Sequence, residues 1–124
     1  MSVISSGSAK DSKDSDPNPY DEVPYESFPF PSCHPDQLAT IAKLFGLSSP
    51  PVEHCRVLDL GCASGGHLIP LAYTFPDSQF VGVDFSIRQI IDGKNQIDAL
   101  GLKNIELRQM DILDIDSTLG LFDY

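Results

Sequence analysis

Asp59, Asp84 and Asp111 each stand at the end of a short strand-like run, and a glycine-rich turn follows the first of them. The first run, Val57-Leu58-Asp59-Leu60, leads into Gly61-Cys62-Ala63-Ser64-Gly65-Gly66-His67. The second is Val81-Gly82-Val83-Asp84, and the third runs from Ile105 to Met110 before Asp111. Apolar runs of this length, bounded by turn residues, predict strands of a parallel sheet. Three carboxylates at three strand ends, beside a turn whose glycines let backbone N–H groups approach a ligand, describe a pocket for a nucleoside-bearing cofactor. Any one of these aspartates alone is more readily a turn former or a helix cap. Their repetition in register with Gly61 and Gly65 tips the balance toward a ligand.

The turn's own chemistry selects among ligands. Its pattern is Gly61-x-Ala63-x-Gly65-Gly66, with alanine at the middle glycine position. A glycine turn that opens a helix ordinarily receives a pyrophosphate, so NAD is one reading. Asp59, two residues before Gly61, would repel that group. S-adenosylmethionine (SAM) carries an ammonium, a sulfonium and a carboxylate but no phosphate, and it suits an acidic turn. Asp84, with Phe85 beside it, is then placed for two ribose hydroxyls. Asp111 is placed for the adenine amino group, with Met110 and Ile112 offering apolar faces. The predicted cofactor-binding set is Asp59, Gly61, Ala63, Gly65, Asp84, Phe85, Met110 and Asp111, joined by Tyr25 from the upstream segment.

Hydrophobic spacing gives the elements that position these residues. Leu38, Ile41, Ala42 and Phe45 recur at i, i+3, i+4, i+7, predicting a helix from Pro35 to a stop at Gly46. A Pro-Pro loop then leads to strand one at 56–60. Leu68, Leu71, Ala72 and Phe75 mark a second helix. Pro70 fits there only if the helix begins near His67, so that the missing N–H falls in the first turn. Strand two covers 79–84. Ser86 and Gln89 form a capping box for a third helix that stops at Gly101. Strand three covers 104–110, and Leu121-Phe122-Asp123-Tyr124 begins a fourth. This alternation predicts an α/β fold, a Rossmann-like doubly wound parallel sheet with strand one central, truncated at the start of the fourth strand.

A chain of 124 residues is one domain at most. Residues 1–19 are rich in Ser, Asp, Lys, Asn and Pro and predict a disordered tail. From Tyr20 to Pro31 aromatics alternate with prolines, which force extended or turn backbone. That segment is either a strap over one edge of the core or a lid that lays Tyr20 or Tyr25 over the cofactor. The net charge of −10, with only eight Lys and Arg, argues against a nucleic-acid surface. No apolar run approaches the roughly 20 residues of a membrane span, and the N-terminus lacks a signal-peptide core. Cys33, Cys55 and Cys62 form no C-x-x-C pair. They read as reduced thiols of a cytoplasmic protein, with no disulfide frame and no metal site, and Cys62 reads as a packing residue.

The run from Val57 to Gly66, with Val83-Asp84 and Met110-Asp111, resembles the class I, Rossmann-like SAM-dependent methyltransferases. Tyr20-Asp21-Glu22-Val23-Pro24-Tyr25, Phe28-Pro29-Phe30-Pro31, His34-Pro35 and Leu38-Ala39-Thr40 resemble the bacterial methyltransferases that carry a methyltransferase regulatory domain. Some of that group are protein-lysine methyltransferases. The resemblance implies that residues 20–124 are the N-terminal part of a SAM-binding methyltransferase domain. It implies that Asp59, Gly61 and Gly65 line the methionine end, that Asp84 holds the ribose and that Asp111 meets the adenine. The implied acceptor is a protein lysine, with small molecules open. No residue is assigned as catalytic base, and Tyr20, Tyr25 and Asp123 are weak candidates. His34, His54 and His67 read as residues at element ends. An NAD-dependent oxidoreductase and a catalytically inactive cofactor-binding fragment are the alternatives.

Overall fold

The computed structural model describes residues 18–23 and 25–124. In chain order its elements are helix α1 (Pro19–Glu22), helix α2 (Pro35–Leu44), strand β1 (Arg56–Leu60), helix α3 (Leu68–Thr74), strand β2 (Gln79–Asp84), helix α4 (Ile87–Leu100) and strand β3 (Ile105–Gln109). Single 3-10 turns lie at Pro31–Cys33, Val52–His54, Ile112–Asp114 and Ser117–Leu119.

Among the described residues the strands form one parallel sheet in the order β1-β2-β3. The register sets Leu60 beside Val83 and Asp84 beside Gln109, so the acidic ends lie along one edge. Strand β2 is flanked on both sides, and Phe80, Val81 and Val83 are buried, as the near-continuous apolar run of an inner parallel strand requires. Along the other side of β1 lie residues 121–124. Leu58 N–H donates to the Tyr124 carbonyl (3.0 Å) and Asp123 N–H to that of Arg56 (2.8 Å). Residues 121–124, where a fourth strand is expected, form no strand of their own here but lie hydrogen-bonded along β1 on the side away from β2. The Arg56 guanidinium holds the same segment, donating to the carbonyls of Leu119 and Leu121 and lying 4.6 Å over the Phe122 ring.

Leu68, Ile69, Leu71 and Ala72 of α3 pack with Phe80, Leu107, and Ile90 and Ile97 of α4 in one core. Pro70 is the third residue of α3, where its missing N–H costs no intrahelical bond. Ser86 caps α4 by accepting from Gln89 N–H (3.3 Å), and Gly101 ends it at φ +66°. Only half of the predicted capping box forms. The Gln89 side chain turns away from its own helix and donates to the Tyr25 carbonyl (2.9 Å), because the upstream segment crosses there.

Two expectations are modified. Residues 1–17 of the predicted tail lie outside the described residues, while Asn18 caps α1 and Pro19 opens it. The apolar face of α2 faces outward, with Leu38 and Ile41 exposed and Phe45 80% exposed. Helical spacing marks a face without saying what covers it.

Candidate functional site

The strand ends converge on a cleft of about 590 Å³, a size typical of cofactor sites. Asp59, Gly61, Ala63, Asp84, Phe85 and Asp111 line it, as does Tyr25. Gly65 and Met110 do not line it. Gly65 turns at φ +81°, and a Cβ there would lie 3.3 Å from the Ile69 and Leu107 side chains. It packs the turn onto the core. Met110 instead donates its N–H to the Asp84 carbonyl (2.9 Å).

The turn is held to β2 by backbone bonds, with Gly61 and Cys62 N–H both donating to the Val83 carbonyl (2.8 and 3.0 Å). Asp84 then joins two loops. One carboxylate oxygen accepts Ala63 N–H (2.8 Å) and the other accepts Ser86 N–H (2.9 Å). Each oxygen keeps a second lone pair for a ligand. To aim its N–H at Asp84, Ala63 adopts φ +49°, the left-handed conformation. The alanine is therefore a matter of strain as well as of one added methyl. A non-glycine residue costs about 1 kcal/mol there. Ala63→Gly is expected to stabilise the chain by about 0.5 kcal/mol, part of the relief being lost to unfolded-state entropy. Urea unfolding would show this as a higher midpoint at unchanged slope.

Among the described residues that line the cleft there is no lysine or arginine, while Glu26, Asp59, Asp84 and Asp111 all do so. Burial raises the Asp59 carboxyl above its ordinary range, and the neighbouring Asp84 carboxylate adds to this. Burial also pushes the Cys62 thiol up to about 12, with the two aspartates adding to the effect. Cys62 is thus a thiol wedged against the sheet, and a Cβ on Gly82 would fall 2.7 Å from its Sγ. The packing role holds.

The upstream segment supplies the opposite wall. Tyr20, Tyr25, Ser27, Phe28 and Phe30 all line the cleft, the two tyrosine rings 6.1 Å apart. It is fastened at four places. Asp21 accepts from the Ser86 hydroxyl and from Arg88 N–H (3.3 Å), and its carbonyl accepts from the Arg88 guanidinium (3.1 Å). Tyr25 accepts from Gln89, Ser27 Oγ from Gly66 N–H (2.8 Å), and Phe30 N–H donates to His67 Nδ1 (3.1 Å). A Cβ on Gly66 would sit 2.4 Å from the Ser27 carbonyl oxygen. The segment is thus strapped to the rim of the cleft, with Tyr20 and Tyr25 on its wall. Sequence reasoning did not place Ser27, Phe30, His67, Ser86 or Gln89 at the site; the one signal available was Gly66, a residue type that permits a close backbone approach.

Asp111 lines the cleft and also caps the following turn, accepting from Leu113 N–H (2.9 Å). Asp123 lies away from the cleft at the start of β1, where it accepts from Arg56 N–H (2.7 Å), so it is no candidate base. His34 caps α2 by accepting from Asp36 N–H, and His54 ends a 3-10 turn. Among the described residues no group of three His, Cys, Asp or Glu could hold a metal ion. No helix there is long and apolar enough to cross a membrane.

Residues 51–124 match the family model described as "Methyltransferase domain". The chain belongs to that family. An uncharacterized protein of Rickettsia prowazekii is 53% identical to this methyltransferase domain over 109 residues, covering 88% of the chain and 20% of that protein. The structure of PKMT2 from Rickettsia typhi in complex with AdoHcy superposes with a TM-score of 0.76 at 46% identity, covering 82% of this chain and 19% of that one. The chain thus spans about a fifth of the length of each. The tRNA (guanine-N(7)-)-methyltransferase of Chloroflexus aggregans is 38% identical over 80 residues, 63% of this chain and 34% of that protein. With such a relative, acidity does not by itself exclude an RNA acceptor. The fold is that of the class I, Rossmann-like methyltransferases.

Proposed function

We propose that the cleft binds SAM and that this chain forms the donor-binding part of an enzyme that methylates an acceptor nucleophile. The observation that carries this is charge. Three aspartates share a cleft with no lysine or arginine among its described lining residues, and burial has left one of them, Asp59, short of solvation. Such a site disfavours a pyrophosphate and favours a ligand bearing an ammonium. PKMT2, similar in fold and sequence, is bound to AdoHcy.

In this proposal Asp59 receives the ammonium, Gly61 and Ala63 flank the methionine part, and Asp84 takes the ribose hydroxyls. Asp111 accepts from adenine, with Phe85 and Ile112 against its ring, and Tyr25 closes the cleft from the strap. Gly65 and Met110 act from behind the lining. Bound SAM supplies a methyl on a positively charged sulfur: the acceptor's lone pair forms the new bond as the carbon–sulfur bond breaks, giving a neutral thioether. The chain's task is to align that methyl and exclude water. We propose a protein lysine as acceptor, on the resemblance of the Tyr20–Pro31 stretch and the likeness to PKMT2.

Calorimetric titration with S-adenosylhomocysteine and with NAD tests the donor assignment. Saturable binding of the thioether alone is expected. An ammonium favours ionised Asp59, so binding releases a proton, and affinity rises as pH rises through the raised Asp59 pKa. Stability of the free chain moves the other way, because the folded state holds that proton more tightly and loses stability as pH rises through the same window. Asp59→Asn is expected to weaken binding by about tenfold or more and to flatten its pH dependence. NAD binding without thioether binding would overturn the assignment.

A further inference from the structure

His67 stands at the N-terminal end of α3 but does not cap that helix. Its Nδ1 instead accepts the N–H of Phe30, 37 positions earlier in the chain, at 3.1 Å. The two rings lie 6.5 Å apart at 50°, and both residues line the cleft together with Asp59. Directly before it, Gly66 donates its N–H to Ser27 (2.8 Å). The glycine turn is therefore fastened to the strap at two consecutive residues, by backbone at Gly66 and by side chain at His67.

We propose that His67 is a positioning residue of the donor site, its imidazole fixing Phe30, and with it the strap, over the cleft that Asp59 lines. This rests on the assignment of the cleft to SAM. The side chain is free for the task because α3 leaves it unused as a cap. Accepting at Nδ1 requires a neutral ring with its proton on Nε2. The same imidazole lines the cleft together with Asp59, so one side chain meets both walls of the cleft.

Three variants separate the acceptor atom from bulk. His67→Asn places an amide oxygen near the position of Nδ1, His67→Gln carries its oxygen one bond further out, and His67→Ala has no acceptor. Each is titrated with S-adenosylhomocysteine, and exchange of the Phe30 amide hydrogen is followed in parallel. The Ala and Gln variants are expected to bind about fivefold to tenfold more weakly, the worth of one neutral hydrogen bond, with rapid Phe30 exchange. Asn restores both readouts. Equal loss in Asn and Ala, or no loss in Ala, overturns the proposal while leaving the donor assignment intact. Should the Ala variant fail to fold, the Asn-against-Gln comparison decides by itself. Absence of binding by the folded wild-type chain overturns the donor assignment and this proposal together.

Discussion

Asp84→Asn is expected to weaken S-adenosylhomocysteine binding by about 100-fold, as loss of two charge-assisted hydrogen bonds worth about 3 kcal/mol together would do. The size of the effect follows from how fully the carboxylate is used. Its oxygens already accept Ala63 N–H at 2.8 Å and Ser86 N–H at 2.9 Å, and each offers its other lone pair to the cleft. An asparagine keeps one acceptor and turns its NH2 toward one of the two backbone donors. That loop end then shifts, and either Ala63 or Ser86 carries its neighbours with it. Asp84→Ala removes both acceptors and leaves two half-buried N–H groups unpaired, so it is expected to cost about 1–3 kcal/mol of stability as well. Calorimetry and urea unfolding on the two variants separate these effects. An Asp84→Asn chain that binds within threefold of wild type would mean that the carboxylate is a loop clamp and nothing more.

Asp84 also shows how much could be read before folding. Strands β1 and β2 fall on the residues their apolar runs and flanking turns assign, 56–60 and 79–84, because a parallel sheet buries a continuous run and little else competes for it. Strand β3 is one residue shorter at each end than expected. Asp59, Asp84 and Asp111 meet at one cleft for the same reason: parallel strands of similar length end on one side. What spacing cannot express is contact between distant segments. Gln89 has the type and position of a capping partner, yet its amide goes to Tyr25, 64 residues away in sequence. Gly93 reads as a defect in α4 until the helix is seen against the glycine turn, where a Cβ would lie 2.6 Å from the Ser64 carbonyl oxygen and 2.4 Å from Leu107. The Tyr/Pro segment has no periodicity of its own, since its order comes from Gly66, His67, Ser86 and Gln89. Its place along the cleft could be given only once those partners were located.

The second large effect is expected at Gly66. A methyl there would meet the Ser27 carbonyl oxygen at 2.4 Å, its carbonyl carbon at 2.5 Å and its Oγ at 2.6 Å. Two of these atoms are backbone, so no rotamer change relieves the clash. Either the glycine turn moves away from β2 or the strap lifts. The turn is tied by two bonds to the Val83 carbonyl and packs on the buried core, whereas the strap is exposed along Tyr25, Phe28 and Phe30. The strap is the weaker side and should give way. Gly66→Ala is then expected to bind S-adenosylhomocysteine at least about tenfold more weakly, while overpacking costs about 1–3 kcal/mol at most. Chymotrypsin would report the lifted strap directly, through faster cutting after Tyr25, Phe28 or Phe30 with the sheet left intact. Ser27→Ala provides the calibration: it keeps the close approach and removes one hydrogen bond, so its loss should be about threefold to tenfold. Were Gly66→Ala to bind normally with its strap still protected, the strap would not be seated on the glycine turn, and the cleft would have to be closed by other residues.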